Sequence, residues 1–193
     1  MDYKGDLYYI EKVLIGNSQA FAELVDRHKD NVYTLAQKIC GNPEDAEEVA
    51  QDSFIKVFRS LKSFRFKSSF HTWLYRIVYN TAITRLRQKR TDILKIEDFP
   101  VDAVDFLREG ADEQYAEMEY KRALIRFALQ KIDPDQRALI SLHYWQELSI
   151  DEIASVSGLS HSNVKIRLFR ARNRLKEIIK EVTEKEVYQH ERI

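Results

Sequence analysis

Residues 148–167 read Leu148-Ser149-Ile150-Asp151-Glu152-Ile153-Ala154-Ser155-Val156-Ser157-Gly158-Leu159-Ser160-His161-Ser162-Asn163-Val164-Lys165-Ile166-Arg167. Ser149 followed by Glu152 forms a capping box, each side chain satisfying a free backbone amide at a helix start. Gly158 suits the left-handed conformation that ends a helix, and Ser160 can cap the next one. Two helices joined by a turn of about four residues form a helix-turn-helix, whose second helix is shaped for the major groove of duplex DNA. The stretch points to a helical protein that reads nucleic acid and away from catalysis.

Outward from this turn, the second helix sorts its residues by face. At about 100° per residue, Val164, Leu168, Ala171, Leu175 and Ile178 lie close to one line, a seam suited to burial. The opposite side carries Ser162, Ile166, Phe169 and Asn173, with Arg170 nearby and Lys165 and Arg167 flanking. An aromatic ring beside an arginine on a solvent face suits DNA, where apolar groups meet thymine methyls and arginine forks onto guanine. Arg172, Arg174 and Lys176 follow and suit phosphates. The plain alternative is a basic surface helix.

The chain has 193 residues, enough for one or two small domains. Five Gly and three Pro separate long helix-friendly stretches. No segment alternates with period two, so no strands are expected. The single Cys40 cannot form an internal disulfide, which fits a reducing compartment. No apolar run approaches the roughly 18–20 residues needed to cross a bilayer, and Met1-Asp2-Tyr3-Lys4 opens no signal peptide. A cytoplasmic protein without direct membrane insertion is expected.

The formal charge is zero, from 31 basic and 31 acidic residues, but the charges are sorted. Lys56–Lys95 holds eleven Lys/Arg and one acid, Glu97–Glu119 nine acids and one base, and His161–Lys180 seven Lys/Arg and one acid. Two basic blocks around an acidic one suggest two contacts with a polyanion. Solvated helix faces would give the same pattern.

The first half reads as five helices. Leu7, Ile10 and Leu14 mark the first, ended by Gly16. A second begins near Asn17/Ser18 and carries Phe21, Leu24 and Val25. A third carries Val32, Leu35, Ala36 and Ile39 and stops at Gly41. Asn42-Pro43-Glu44-Asp45 starts the fourth, with a cap, a proline in the first turn and acids at the positive end of the dipole. Its apolar residues Ala46, Val49, Ala50, Phe54, Val57, Phe58 and Leu61 recur at helical spacing. The fifth runs from Phe70 to Lys89, with Phe70, Leu74, Ile77 and Val78 inward and Arg76, Asn80, Ile83 and Arg87 opposite, Thr84 beside them. From Thr91 to Gly110 periodicity fades and acids dominate, as in a linker. Its acid-rich residues 97–119 could span up to ~75 Å at ~3.3 Å each, about two turns of duplex at ~34 Å. A second helical unit starts near Asp112, and Asp133-Pro134-Asp135-Gln136 repeats the cap-then-proline start.

The loop before the fifth helix sets Phe64 and Phe66 among Arg65 and Lys67. Rings to stack on and charges for a backbone suit single-stranded nucleic acid, and an unpaired, flipped base could lodge there. Alternatively, the two rings close the core beneath the loop. The fourth helix carries Glu44, Asp45, Glu47, Glu48, Gln51 and Asp52, a rim that would repel DNA and suits a protein partner.

These residues carry a family resemblance. Asp45-Ala46-Glu47-Glu48-Val49-Ala50-Gln51-Asp52-Ser53-Phe54 and Phe70-His71-Thr72-Trp73-Leu74-Tyr75-Arg76-Ile77-Val78-Tyr79-Asn80-Thr81-Ala82 resemble region 2 of a bacterial sigma factor of the sigma-70 family. Leu148–Ala154 and Val164–Arg172 resemble region 4. With two regions and a short linker, the chain is similar to the extracytoplasmic-function subgroup. The resemblance implies an all-α fold of two small helical domains. Region 2 would occupy 1–95, an acidic flexible linker 96–111, region 4 with its helix-turn-helix 112–183, and a tail 184–193.

The resemblance also implies roles and partners. Asp45, Glu48, Gln51 and Asp52 would dock on the clamp-helix coiled coil of core RNA polymerase. Phe64, Arg65, Phe66, Lys67, Arg76, Asn80, Ile83, Thr84 and Arg87 would read and open the −10 element, with the flipped non-template base near Phe64 and Asn80. Ser162, Asn163, Lys165, Ile166, Phe169 and Arg170 would read the double-stranded −35 element, Arg167 and Arg172 holding phosphates. The partners are core RNA polymerase, promoter DNA and an anti-sigma factor, with no cofactor. Ile83 stands where relatives often carry a polar or basic residue.

Two other readings compete. An autonomous helix-turn-helix regulator would bind duplex unaided, but leaves the acidic fourth helix and the aromatic loop unexplained. An enzyme would need a catalytic constellation, and five scattered His, one Cys and no glycine-rich phosphate loop supply none. The acids of the fourth helix lack the Glu-x-x-His partner of carboxylate-bundle metal sites.

Overall fold

The computed structural model describes residues 5–89 and 113–190. They form α1 (Asp6–Leu14), α2 (Ala20–Cys40), α3 (Pro43–Ser60), α4 (Phe70–Lys89), α5 (Glu113–Lys131), α6 (Pro134–Tyr144), α7 (Ile150–Ser157) and α8 (His161–His190), with a 3-10 turn at Leu61–Ser63. No strand occurs among the described residues. The expected linker at 96–111 lies outside them.

Local chemistry places the helix ends where the sequence puts them. Asn42 Oδ1 accepts from the Asp45 amide at 2.8 Å to start α3, and Asp133 Oδ1 accepts from the Asp135 amide at 2.9 Å to start α6. The Ser149–Glu152 capping box closes reciprocally at α7, and Ser160 Oγ accepts from the Asn163 amide at 3.3 Å at α8. Gly41 and Gly158 end α2 and α7 with φ of +83° and +74°, in the region that costs other residues a Cβ clash.

One expectation is corrected. The second and third helices are one, α2, unbroken from Ala20 to Cys40. The apparent gap between Val25 and Val32 is filled by His28, which is buried and takes the inward position between Leu24 and Val32. Its Nε2 lies 3.0 Å from Asp6 Oδ2, tying α1 to α2. α8 continues to His190, into the span expected as a tail.

The first four helices pack around Leu24, Leu35, Ile39, Val49, Leu74 and Val78, and the second four around Leu139, Leu142, Ile153, Val164 and Leu168. The two groups are not separate beads. The sequence suggests independently placed units, but α4 packs on α6 and α7, and α2 packs on α6. A single apolar cluster runs from Ile10 to Ile178. Tyr75 and Tyr79, one turn apart on α4, cross the junction: the Tyr75 hydroxyl donates to Gln146, and that of Tyr79 donates to Asp135 at 3.0 Å. Burial pushes both phenols well above their ordinary range, so each stays a donor. Lys38 of α2 lies 4.9 Å over the Trp145 ring.

Candidate nucleic-acid interface and partner surface

On α8 the seam is buried as expected: Val164, Leu168, Ala171 and Ile178 are enclosed and Leu175 nearly so. Each large apolar side chain moved from water stabilises the fold by about 1.5–3 kcal/mol, which fixes the helix's rotation about its axis. Ser162, Asn163, Lys165, Ile166, Arg167, Phe169, Arg170 and Arg172 consequently face outward. Phe169 is 59% exposed and Ile166 47%. Arg172 turns back toward α6, its Nη1 3.5 Å from the Tyr144 hydroxyl. Arg174 pairs with Glu177 at 3.1 Å. Lys165, Arg167 and Arg170 make no ion pair among the described residues.

The aromatic loop divides. Phe66, Arg65 and Lys67 are exposed, whereas Phe64 is buried to 7%. Phe64 packs between Phe66, Phe70 and Trp73, with ring centroids 4.7, 5.9 and 5.1 Å away. Phe64 is thus part of the packed core beneath the loop, and Phe66 rests against it. Phe66 sits at φ +55°, a left-handed conformation rare for a bulky residue. Beside it opens a cavity of about 300 Å³ lined by Phe64, Phe66, Ser68, Ser69 and Phe70 on one side and by residues of α1 on the other. Asn80 is not among its walls.

On α4, Arg76, Asn80, Thr84 and Arg87 are exposed, but Ile83 is buried to 6%. It continues the Tyr75–Tyr79 face, two turns along, that packs against the second group of helices. The burial accounts for an apolar residue on an otherwise open stripe. Arg87 Nη2 reaches Asp135 at 3.6 Å, across the same junction.

On α3 the acidic rim also divides. Glu48, Gln51 and Asp52 are exposed. Asp45 is 2% exposed, and Arg85 Nε and Lys89 Nζ reach it at 2.6 and 2.7 Å. Burial alone would push its pKa up, but the bonds from Lys89, Asn42 and Arg85 prevail and bring it down to about 2. Asp45 serves as a structural counter-ion, so the open part of the rim is Glu48, Gln51 and Asp52. Glu48 also pairs with Arg85. Helical spacing groups Phe54 and Phe58 with the inward residues of this helix. Phe58 is 46% exposed instead, and with Ile55, Phe21 and Phe54 it lines an apolar hollow of about 620 Å³. No acidic or periodic signal marks it in the sequence.

Known proteins share this arrangement. The family models described as Sigma-70 region 2 and Sigma-70, region 4 match residues 24–91 and 122–175. The ECF RNA polymerase sigma factor SigW of Bacillus subtilis is 31% identical over 90% of this chain and 96% of its own. The chain belongs to the ECF sigma factors of the sigma-70 family. The ECF RNA polymerase sigma-E factor of Escherichia coli K12 is 34% identical to this sigma factor, over 86% of this chain and 90% of its own. In structure, CnrH, solved in complex with the cytosolic domain of CnrY, matches with a TM-score of 0.63 at 26% identity, covering 92% of this chain and 99% of that one. α2–α4 of this sigma factor thus correspond to region 2, and the second half of α5 to the middle of α8 correspond to region 4.

Proposed function

We propose that this sigma factor brings core RNA polymerase to promoters by holding DNA at two places and favouring strand opening at one of them. It acts by differential binding and performs no covalent chemistry. The observation that carries the reading is the exposed Ile166–Phe169–Arg170 face of α8 opposite the buried Val164, Leu168 and Ala171. A large apolar ring held in water beside a free guanidinium has its use on base edges. Ser162, Asn163 and Lys165 share that face, and Arg167 suits a phosphate. Arg172, engaged with Tyr144, is the weakest contributor.

At the other element, Arg65, Phe66 and Lys67 would meet the separated strand, with Arg76, Asn80, Thr84 and Arg87 on the duplex beside it. The hollow beside Phe66 would take the unpaired base, with Phe64 and Phe70 among its walls. Glu48, Gln51 and Asp52, bordered by Ile55 and Phe58, would dock on the polymerase. Region 2 would span 1–95 and region 4 112–183, working in the cytoplasm where polymerase and promoter meet. An anti-sigma factor would be a further partner, and the likeness to CnrH, solved with the cytosolic domain of a second protein, supports a protein partner of that kind.

The docked arrangement of the two regions would be a resting placement. Two promoter elements separated by about two turns of duplex lie ~70 Å apart, while α4 here touches α6 and α7 directly. Productive binding then requires the regions to part. Reconstitution tests the whole reading. Alone, the chain is expected to bind promoter duplex weakly, and with core polymerase to give specific binding, strand opening and run-off transcript. Tight sequence-specific binding without polymerase would favour the autonomous regulator.

A further inference from the structure

A cleft of about 300 Å³ lies where the end of α2 meets α5 and α6, and its charge is one-sided. Lys38, Arg126 and Arg137 line it, with Gln130 and the backbone of Gly41. Among the described residues, no carboxylate is in its walls. Arg137 is the unusual member. It is 6% exposed, and its Nε is buried without a hydrogen-bond partner. Its guanidinium enters no ion pair among the described residues. Asp45 shows how this fold treats a buried charge, with two cations within 2.7 Å. No such pair faces Arg137 among the described residues. Burial disfavours its charge, and Cys40 and Asp133 favour it only through space, the Asp133 carboxylate capping α6.

The surroundings keep space open at this arginine. A Cβ at Gly41 would lie 3.2 Å from Arg137 Nη1, so the absence of a side chain there admits the guanidinium. Gln130 Nε2 donates to the Gly41 carbonyl at 3.3 Å, fixing the rim. Burial, and after it the charge of Arg126 on the facing wall, disfavours the Lys38 charge. Like charges brought together around a buried, unpaired guanidinium raise the energy of the empty cleft, and an anion between them lowers it.

We propose that this cleft binds a small phosphate-bearing anion, held by Lys38 from region 2 and by Arg126 and Arg137 from region 4. Guanidinium groups match phosphate oxygens in geometry and charge, and Gln130 supplies an amide at the edge. Such an anion touches both regions only while they are docked, so by linkage it stabilises the docked placement. The site is separate from the α8 reading face, and its binding stands or falls independently of promoter recognition.

Calorimetric titration of the full chain with inorganic phosphate, pyrophosphate and a nucleoside diphosphate, at ionic strength held constant with sodium chloride, tests this. Saturable one-site binding is expected, weakened at least tenfold in Arg126→Gln and in Lys38→Gln, both at the solvent edge. Arg137→Met should abolish it. Should that variant not fold, the two edge variants still decide. Tighter binding of pyrophosphate and the nucleotide than of phosphate would assign the site to a nucleotide, and equal affinities to free phosphate. No binding by the parent chain, or equal binding by the variants, would overturn the proposal. So would displacement of bound pyrophosphate by a short DNA duplex, which would reassign the cleft to a nucleic-acid backbone.

Discussion

The Tyr79 hydroxyl donates a 3.0 Å hydrogen bond to Asp135 Oδ1, across 56 residues of sequence and from one sigma region to the other. Arg87 adds a longer ion pair to the same carboxylate, and Tyr75 makes a parallel bond to Gln146 one turn earlier on α4. These bonds sit at the border of an apolar contact that includes Ile83, so they select one docking register more than they supply its energy. Phenylalanine at both tyrosines removes the bonds and keeps the rings. The double variant should favour the parted arrangement by about 1–3 kcal/mol, taking a net ~0.5–1.5 kcal/mol for each bond. Small-angle scattering of the free chain should show a larger radius of gyration, and an unchanged radius would mean the apolar contact alone holds the docking.

Asp45 gives the clearest pH dependence. Its pKa in the folded chain is depressed to about 2 from an ordinary 3.8. A depressed carboxylate stabilises the fold above its unfolded pKa, and that contribution is lost as pH falls from about 4 through 2. Asp45→Asn should cost roughly 2–4 kcal/mol in urea unfolding at pH 7, since Arg85 and Lys89 lose their counter-charge. The parent should approach the variant's stability as the pH nears 2. Equal stability at pH 7 would show the pairs to be energetically idle.

Arg170 and Phe169 make separable predictions at the −35 element. Arg170→Ala should cost about 1–3 kcal/mol on a matched promoter and relax preference at one base pair, because a guanine there no longer has its hydrogen-bond donor. Phe169→Ala should weaken binding where thymine is read and leave the salt dependence unchanged. Holoenzyme binding to a panel of single-base promoter variants distinguishes these outcomes. A uniform loss on all sequences for Arg170→Ala would place that side chain on a phosphate.

The polymerase surface can be dissected on α3. Asp52→Lys and Phe58→Ser change exposed positions, so the thermal midpoint should move little while affinity for core polymerase falls at least tenfold. Asp45→Asn should act mainly through stability. Affinity measured by fluorescence polarisation, alongside thermal unfolding, separates the two effects. Undiminished affinity in both surface variants would remove α3 from the docking face.

Much of the architecture follows from local rules that the sequence states outright. Caps at Asn42, Asp133, Ser149 and Ser160 and left-handed ends at Gly41 and Gly158 depend on neighbours within four residues. The Val164–Ile178 seam depends on helical period alone, and it orients Phe169 and Arg170 correctly. Period also misleads where a polar residue takes an inward position: His28 hides the continuity of α2.

What the sequence by itself determined is the set of helices, their ends and one buried face of each, because those follow from interactions three or four residues apart. Only the tertiary structure decided what covers the other face. Ile83 became interior because region 4 lies against it, Asp45 because Arg85 and Lys89 arrive from α4, and Arg137 because α2 ends beside it at Gly41. Burial and electrostatic pairing are set by neighbours remote along the chain, and helical periodicity carries no information about which distant helix will arrive.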